Sequence, residues 1–172
     1  MNQKILKYAL FITVASIIVK LSIFHIGLQH DDIGRLSLLI PILFLLIGLV
    51  VGMISMKDTS IADEKISFKS DAKNGIRIAA LNAVFFSIFI YLYYSVIDAN
   101  FFDYRISEGL KALFKQGSSK EELKNYYINA RFFLNPSRQA YFTFFGYLFM
   151  GLLYSVAIAF IINTKTFKKL KS

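Results

Sequence analysis

The chain has 172 residues, of which 56% are hydrophobic and only 18% are charged. The high hydrophobic fraction excludes a disordered chain. Soluble domains carry about 25% charged residues, so the low charged fraction argues against an ordinary soluble enzyme. No cysteine is present, which excludes a disulfide framework and a cysteine-ligated metal site. The formal net charge of +9 does not indicate a nucleic-acid partner, because the basic residues lie between long apolar segments rather than on one polar face.

Four long apolar segments dominate the sequence, at residues 8–28, 36–56, 78–97 and 140–162, and only the first contains a charged residue, Lys20. A transmembrane helix needs about 20 predominantly apolar residues to cross a hydrocarbon core of about 30 Å. The sequence therefore predicts an all-α fold: an integral membrane four-helix bundle that forms a single domain over residues 1–172. Its spans are expected at about 8–28, 36–56, 76–97 and 140–162.

The first segment follows a short basic stretch, as the apolar part of a secretory signal peptide does. No small-residue cleavage site followed by a polar start precedes Lys20, and the apolar segment continues beyond it to Leu28. These features predict a retained transmembrane helix.

The distribution of lysine and arginine predicts the orientation. The N-terminal tail, residues 57–77 and the C-terminal tail hold eleven basic residues, whereas residues 29–35 hold one. Residues 98–139 hold seven, but five acidic residues accompany them. Because cytoplasmic loops are enriched in lysine and arginine, both termini are predicted to be cytoplasmic. Lys165, Lys168, Lys169 and Lys171 of the C-terminal tail are the clearest part of this signal.

A helix is expected to begin before the third span. Ser67 is a candidate N-cap for a helix that starts at Phe68 and continues to Ile97. Its first turns would project from the bilayer and carry basic side chains near anionic lipid headgroups at the cytoplasmic face. These basic residues are Lys69, Lys73 and Arg77. The alternative is that they are ordinary positive flanking residues without a specific ligand.

The segment between the third and fourth spans is predicted to form an extracytoplasmic amphipathic helical hairpin at about 101–134. Ser119 and Glu122 have the spacing of a capping box that starts its second helix. Leu123, Tyr126 and Tyr127 then share an apolar face and are candidate partner-facing residues. This face could cover the membrane surface, the sister helix or another protein.

Several of these features together resemble the domain-of-unknown-function 4199 family. They are Ile66–Ser67–Phe68, Ala72, Gly75, the Gly-Ser-Ser-Lys-Glu-Glu-Leu segment at 117–123, Asn135–Pro136 and Gly151 in a phenylalanine-rich fourth span. The family comprises small bacterial integral membrane proteins, mostly from Bacteroidota. The resemblance implies four helices and an inner-membrane location, and it implies no catalytic residues.

Small residues recur four positions apart on three of the predicted spans. Such stripes let helices approach closely in a bilayer, either within one chain or against a partner protein. The candidate helix-packing residues are Gly48 and Gly52 on the second span, Ala79, Ala83 and Ser87 on the third, and Gly151, Ser155 and Ala159 on the fourth.

A candidate intramembrane polar site lies on the first span, where Thr13, Ser16 and Lys20 share one helical face. A charge within a membrane is unfavourable unless it is paired or reaches the interface. Lys20 could therefore serve a substrate, a proton or a lipid headgroup. Alternatively, its long stem could reach the outer headgroups or an acid such as Asp98.

Nothing in the sequence indicates catalysis. The spans contain no carboxylate, and no phosphate-binding loop or zinc motif is present. We therefore predict no catalytic residues, no cofactor and no metal. The predicted role is that of a non-catalytic accessory or interaction subunit of a larger complex in the bacterial inner membrane, with the lipid bilayer as its surroundings. The alternative is a small transporter or lipid-binding membrane protein that uses Lys20.

Overall fold

The computed structural model describes residues 3–31, 39–57 and 64–164. Within these ranges the chain forms six α-helices and no strand, which confirms the all-α prediction. The helices are α1 (Gln3–His25), α2 (Ile40–Met56), α3 (Glu64–Leu92), α4 (Phe101–Lys115), α5 (Lys120–Phe133) and α6 (Pro136–Ile162). A π-helical turn at Tyr93–Ile97 continues α3.

Among the described residues, three helical segments are long and apolar enough to cross a membrane: Gln3–His25, Ser67–Ile97 and Pro136–Ile162. Helix α2 is equally apolar in character but has 17 residues, which corresponds to about 26 Å. The predicted second span begins at residue 36, and residues 32–38 lie outside the described part of the chain. The four-span count therefore stays a prediction, and so does the orientation, since the C-terminal lysines Lys165, Lys168, Lys169 and Lys171 also lie outside it.

The chain divides into two compact units. Unit 1 comprises Met1–Phe86 and Phe144–Ser172, and unit 2 comprises Ser87–Thr143. Unit 1 thus contains α1, α2, most of α3 and most of α6. Its apolar core is drawn from all four helices, and fully buried examples are Ile12, Leu45, Leu49, Met53, Ile78 and Ile162.

Helix α3 begins earlier than predicted. The expected N-cap, Ser67, is instead an interior residue of a helix that starts at Glu64, and it is buried. A serine is tolerated inside a helix, although it is favoured at the N-cap. Ser67 as the N-cap was therefore wrong.

Unit 2 contains the π-helical turn, α4, α5 and the start of α6. Tyr94 packs against Phe101 and Phe102, with ring centroids 4.9 and 4.8 Å apart. The predicted capping box at Ser119 is present: the Ser119 amide donates to Glu122 Oε2 at 2.7 Å, and the Glu122 amide donates to Ser119 Oγ at 3.3 Å. Asn135 separates α5 from α6, since its side chain donates to the Phe132 carbonyl and accepts from the Arg138 amide.

Candidate functional site

The most elaborate polar site in unit 1 is a buried triangle of Lys57, Asp71 and Asn163. Lys57 Nζ donates to Asp71 Oδ2 at 3.0 Å and to Asn163 Oδ1 at 2.9 Å. Asn163 Nδ2 closes the triangle by donating to the same Asp71 oxygen at 2.9 Å, and it also contacts the Ala159 carbonyl at 2.8 Å. The Lys57 and Asp71 side chains retain only 8% and 4% of their exposure.

Each member of this triangle is positioned by the end or the face of a different helix. Lys57 directly follows α2 and is its C-cap residue. Asp71 lies in the second turn of α3, and Asn163 directly follows α6. The orientation of the Asn163 amide is set by chemistry, because only this orientation offers an acceptor to the ammonium group and donors to the carboxylate and the carbonyl.

The triangle is suited to joining helices rather than to reacting. Its charges balance, and the lysine and the asparagine amide have acceptors within the site. Removing one member of such a buried pair leaves the other charge uncompensated, which commonly costs about 3–5 kcal/mol. Lys57, Asp71 and Asn163 therefore tie the ends of α2 and α6 to α3.

Sequence reasoning missed this site because Asp71 lies in a segment that reads as a charged cytoplasmic extension. The spacing of residues in the sequence could have indicated that Asp71 is buried. The buried residues Ser67, Asp71, Gly75, Ile78 and Asn82 recur at three- and four-residue spacing, so the buried face of the span continues through Asp71. The basic residues Lys69, Lys73 and Arg77 are all exposed, on the opposite side of α3.

A second buried polar contact joins α1 to α3. Thr13 Oγ1 lies 2.9 Å from both the Ala9 carbonyl and Asn82 Oδ1. A threonine hydroxyl carries one proton and cannot donate to both. Asn82 is completely buried, and its Nδ2 atom has no hydrogen-bond partner. Rotating the amide by half a turn would let Nδ2 donate to Thr13 while Thr13 donates to Ala9, which makes this the better arrangement.

The three residues of the predicted intramembrane polar site are all buried. Thr13 contacts Asn82, and Ser16 donates back to the Ile12 carbonyl at 2.8 Å. Lys20 is only 8% exposed and engages in an interaction of its own. This face of α1 therefore points into the interior of unit 1. Asp98 belongs to unit 2, where it accepts a hydrogen bond from Tyr93 at 3.2 Å.

The predicted small-residue stripes lie at helix contacts inside unit 1. A Cβ atom at Gly48 would meet Ile12, one at Gly52 would meet Ile78 at 2.9 Å, and one at Gly151 would meet Ala79. The remaining stripe residues Ala83, Ser155 and Ala159 are fully buried, whereas Ser87 is half-buried in unit 2. These small residues therefore serve contacts between helices of the same chain.

The predicted partner-facing residues of α5 have different surroundings. Tyr126 lies directly against Gly109 of α4, where a side chain on the glycine would collide with its hydroxyl. Leu123 is half-buried, and Tyr127 is exposed with the Arg131 guanidinium 5.4 Å from its ring centre. An exposed apolar stripe is formed instead by Tyr127, Ile128 and Phe132, which are 41%, 54% and 54% exposed.

The fold and these contacts define a class of protein: in the part of the chain that the structure describes, all regular structure is helical and three helices are long and apolar enough to cross a membrane, as in a membrane protein. Over residues 7–164 the sequence matches the family described as "Protein of unknown function (DUF4199)". The match covers most of the chain, so the protein belongs to the DUF4199 family, as the sequence resemblance predicted. No curated protein and no solved structure matches it.

Proposed function

We propose that this protein is a non-catalytic interaction subunit of a larger membrane complex. The observation that carries the proposal is the exposed apolar stripe of Tyr127, Ile128 and Phe132 on α5. Helix α5 uses Tyr126 and Ala130 for its inward face, and Phe133, next to the stripe, is exposed as well. An apolar stripe that its own helix pair does not cover is typical of a docking surface, and an aromatic residue beside arginine is common at protein interfaces.

The small-residue stripes support the same assignment by elimination. Gly48, Gly52 and Gly151 are buried against Ile12, Ile78 and Ala79, so these stripes are used within the chain. These stripes are therefore not the partner surface that we propose, and we assign that contact to the exposed stripe on α5.

The proposed setting is a bacterial inner membrane, crossed four times by α1, α2, α3 and α6, with both termini in the cytoplasm. Helices α4 and α5 would then form an extracytoplasmic amphipathic hairpin. The excess of basic residues in the tails and in residues 57–77 supports this orientation. The exposed Lys69, Lys73 and Arg77 on the first turns of α3 would face anionic headgroups of the cytoplasmic leaflet.

The proposal is tested by affinity purification in a mild detergent, with quantitative identification of co-purifying membrane proteins. Ile128→Asn with Phe132→Asn makes two of the three stripe residues polar without touching the inward contact of Tyr126. A matched control, Lys124→Gln, alters another exposed residue of the same helix. We expect the double variant to lose a partner that the wild type and the control retain. Full retention of every partner by the double variant would contradict the proposal.

A coarser variant replaces residues 118–135 with a short glycine–serine linker. The apolar helices should still insert, because their hydrophobicity does not depend on this segment. The same partner should be lost. Retention of the partner by this variant would exclude α5 altogether as the docking element.

A second candidate function is that of a small transporter or lipid-binding protein that uses Lys20. The burial of Lys20 on the same face of α1 as Thr13 and Ser16 favours it, because an intramembrane ionisable residue often marks a ligand or proton pathway. Lys20→Met separates the two functions. An interaction subunit should retain its partners in this variant, whereas a transporter or lipid-binding protein should lose its phenotype while still inserting.

A further inference from the structure

An apolar groove runs along α1 and α2 in unit 1. Its volume is about 710 Å³, and it is open along one side. Its lining includes Lys7, Tyr8, Phe11, Val14, Gly48 and Val51, and Lys7 is the only charged one among the described lining residues. Between Lys7 and Val14 the groove follows two turns of α1, which corresponds to roughly 10 Å.

The groove results from the close approach of the two helices at a glycine. Gly48 has no side chain, and Ile12 occupies the space where its Cβ would lie. The residues beside this contact point outward: Phe11, Val14 and Val51 are 67%, 50% and 51% exposed. They form the walls of the groove beside this contact.

The two ends of the groove differ in charge. Lys7 is exposed, and within the described ranges its side chain makes no ion pair or hydrogen bond. It lies in the second turn of α1, close to the positive end of the helix dipole. The other named lining residues are uncharged. One end of the groove therefore attracts an anion, and the rest accommodates only apolar groups.

We propose that this groove binds a single anionic phospholipid, with an acyl chain along Phe11, Val14 and Val51 and the phosphate at Lys7. The charge at one end and the apolar lining over the remaining length match the two parts of such a lipid. Free phosphate would use only Lys7 and would leave the apolar walls uncovered. The site is separate from the exposed stripe on α5, so it does not depend on the proposed docking role.

The test is a lipid titration of delipidated full-length protein in mild detergent, read by native mass spectrometry. The probes are dioleoyl phosphatidylglycerol and, with the same acyl chains, dioleoyl phosphatidylcholine. Lys7→Gln removes the charge, and Lys124→Gln removes an exposed lysine elsewhere. Val51→Trp fills the groove, and Leu43→Trp adds the same bulk at an exposed position of α2 that is not part of the lining.

We expect one tightly bound phosphatidylglycerol on the wild type and on both control variants. Lys7→Gln should bind it about fivefold more weakly, since one basic residue near anionic lipid contributes about that factor. The variant should also lose the preference for phosphatidylglycerol over phosphatidylcholine. Val51→Trp should lose the bound lipid of either kind while its helical content remains unchanged by circular dichroism.

Five results would overturn the proposal. They are equal weakening by Lys7→Gln and Lys124→Gln, equal binding of the two lipids by the wild type, and unchanged lipid binding by Val51→Trp. The fourth is a dimer in the mass spectrum that Val51→Trp abolishes, since the groove would then hold a second copy of the chain. Thermal stabilisation by inorganic phosphate equal to that by phosphatidylglycerol would likewise show that no acyl chain is needed.

Discussion

Asp71 shows how one carboxylate can be retained inside an apolar unit. Its Oδ2 atom accepts from both Lys57 and Asn163, so the charge is neutralised and hydrogen-bonded at once. The asparagine is also held by the Ala159 carbonyl of α6. The stability of the cluster therefore depends on all three side chains together rather than on the ion pair alone.

We predict that Asp71→Asn lowers the free energy of unfolding by about 3–5 kcal/mol, because it leaves the Lys57 ammonium buried without a counter-charge. Lys57→Met combined with Asp71→Leu should recover part of the loss, since an apolar pair carries no desolvation penalty but leaves Asn163 with only the Ala159 carbonyl as partner. Thermal unfolding in detergent measures both variants. Equal losses in the single and double variants would show that the site contributes no charge compensation.

For Lys20, thermal stability tests whether the residue stabilises the fold, which the retention of partners does not show. The residue is buried and engaged in an interaction. If that interaction compensates its charge, Lys20→Met leaves the partner unmatched and lowers the melting temperature. Lys73→Met, at an exposed position of α3, is the control and should change it little. An unchanged or raised melting temperature for Lys20→Met would mean that the lysine contributes nothing to the fold.

At the scale of the helix, the contact between α6 and α3 is limited by the size of two small residues. A Cβ on Gly151 would overlap that of Ala79, whereas Gly146 on the same helix has no neighbouring atom within 4 Å of its Cβ position. These two glycines therefore separate the effect of packing from the effect of helix propensity.

Gly151→Ala is expected to destabilise the protein by about 1–3 kcal/mol, the usual effect of overpacking. Adding Ala79→Gly should restore stability, because the methyl group is only moved from one helix to the other. Gly146→Ala should be neutral or stabilising, since alanine is the better helix former. Melting temperatures of the four proteins test this. A loss in Gly146→Ala as large as that in Gly151→Ala would contradict the packing explanation.

The capping box of α5 predicts a pH dependence. Hydrogen bonds from the Ser119 backbone and side chain lower the pKa of the Glu122 carboxyl below its ordinary value of 4.5. A carboxyl with a lowered pKa in the folded state stabilises that state above its unfolded pKa and ceases to do so as the pH falls through the folded pKa. Protection of the first α5 amides should therefore decrease below about pH 4.5.

Hydrogen exchange of the intact protein, corrected for the intrinsic rate at each pH, measures this protection. Glu122→Gln is the matched control, because glutamine also fits a capping box but does not titrate. Its protection should be independent of pH over the same range. Ser119→Ala should open the first turn about fivefold more often at neutral pH. A parallel decrease in wild type and Glu122→Gln would assign the pH effect to another group.

At the scale of the whole molecule, the testable question is orientation. Eleven basic residues in the tails and in residues 57–77 predict that both termini are cytoplasmic. A reporter that works only in the cytoplasm should be active when fused to the C-terminus and inactive when inserted near Gly117. The positive φ of Gly117, +79°, identifies a turn between α4 and α5 that can accept an insertion. The reverse pattern of activity would exclude the proposed topology.

The sequence by itself determined the helical class, the apolar helices and the capping box at Ser119. Each depends on local composition or spacing: 20 apolar residues predict a span wherever they occur, and a cap involves residues three apart. The family was also recognisable from short segments. The start of α3 was misplaced at Ser67, because serine is favoured as a helix N-cap but is also tolerated inside a helix, and local sequence does not choose between the two.

Only the tertiary structure decided the partners of the polar residues. Asp71 and Asn163 are 92 positions apart, and Thr13 and Asn82 are 69 apart, so no local pattern links them. The same applies to the glycines, whose neighbours Ile12, Ile78 and Ala79 belong to other helices. Whether a residue is buried at a helix contact depends on which helices meet and on the position along each helix axis at which they meet. That choice is made by the packing of the whole unit, because each helix alone presents several faces of similar hydrophobicity.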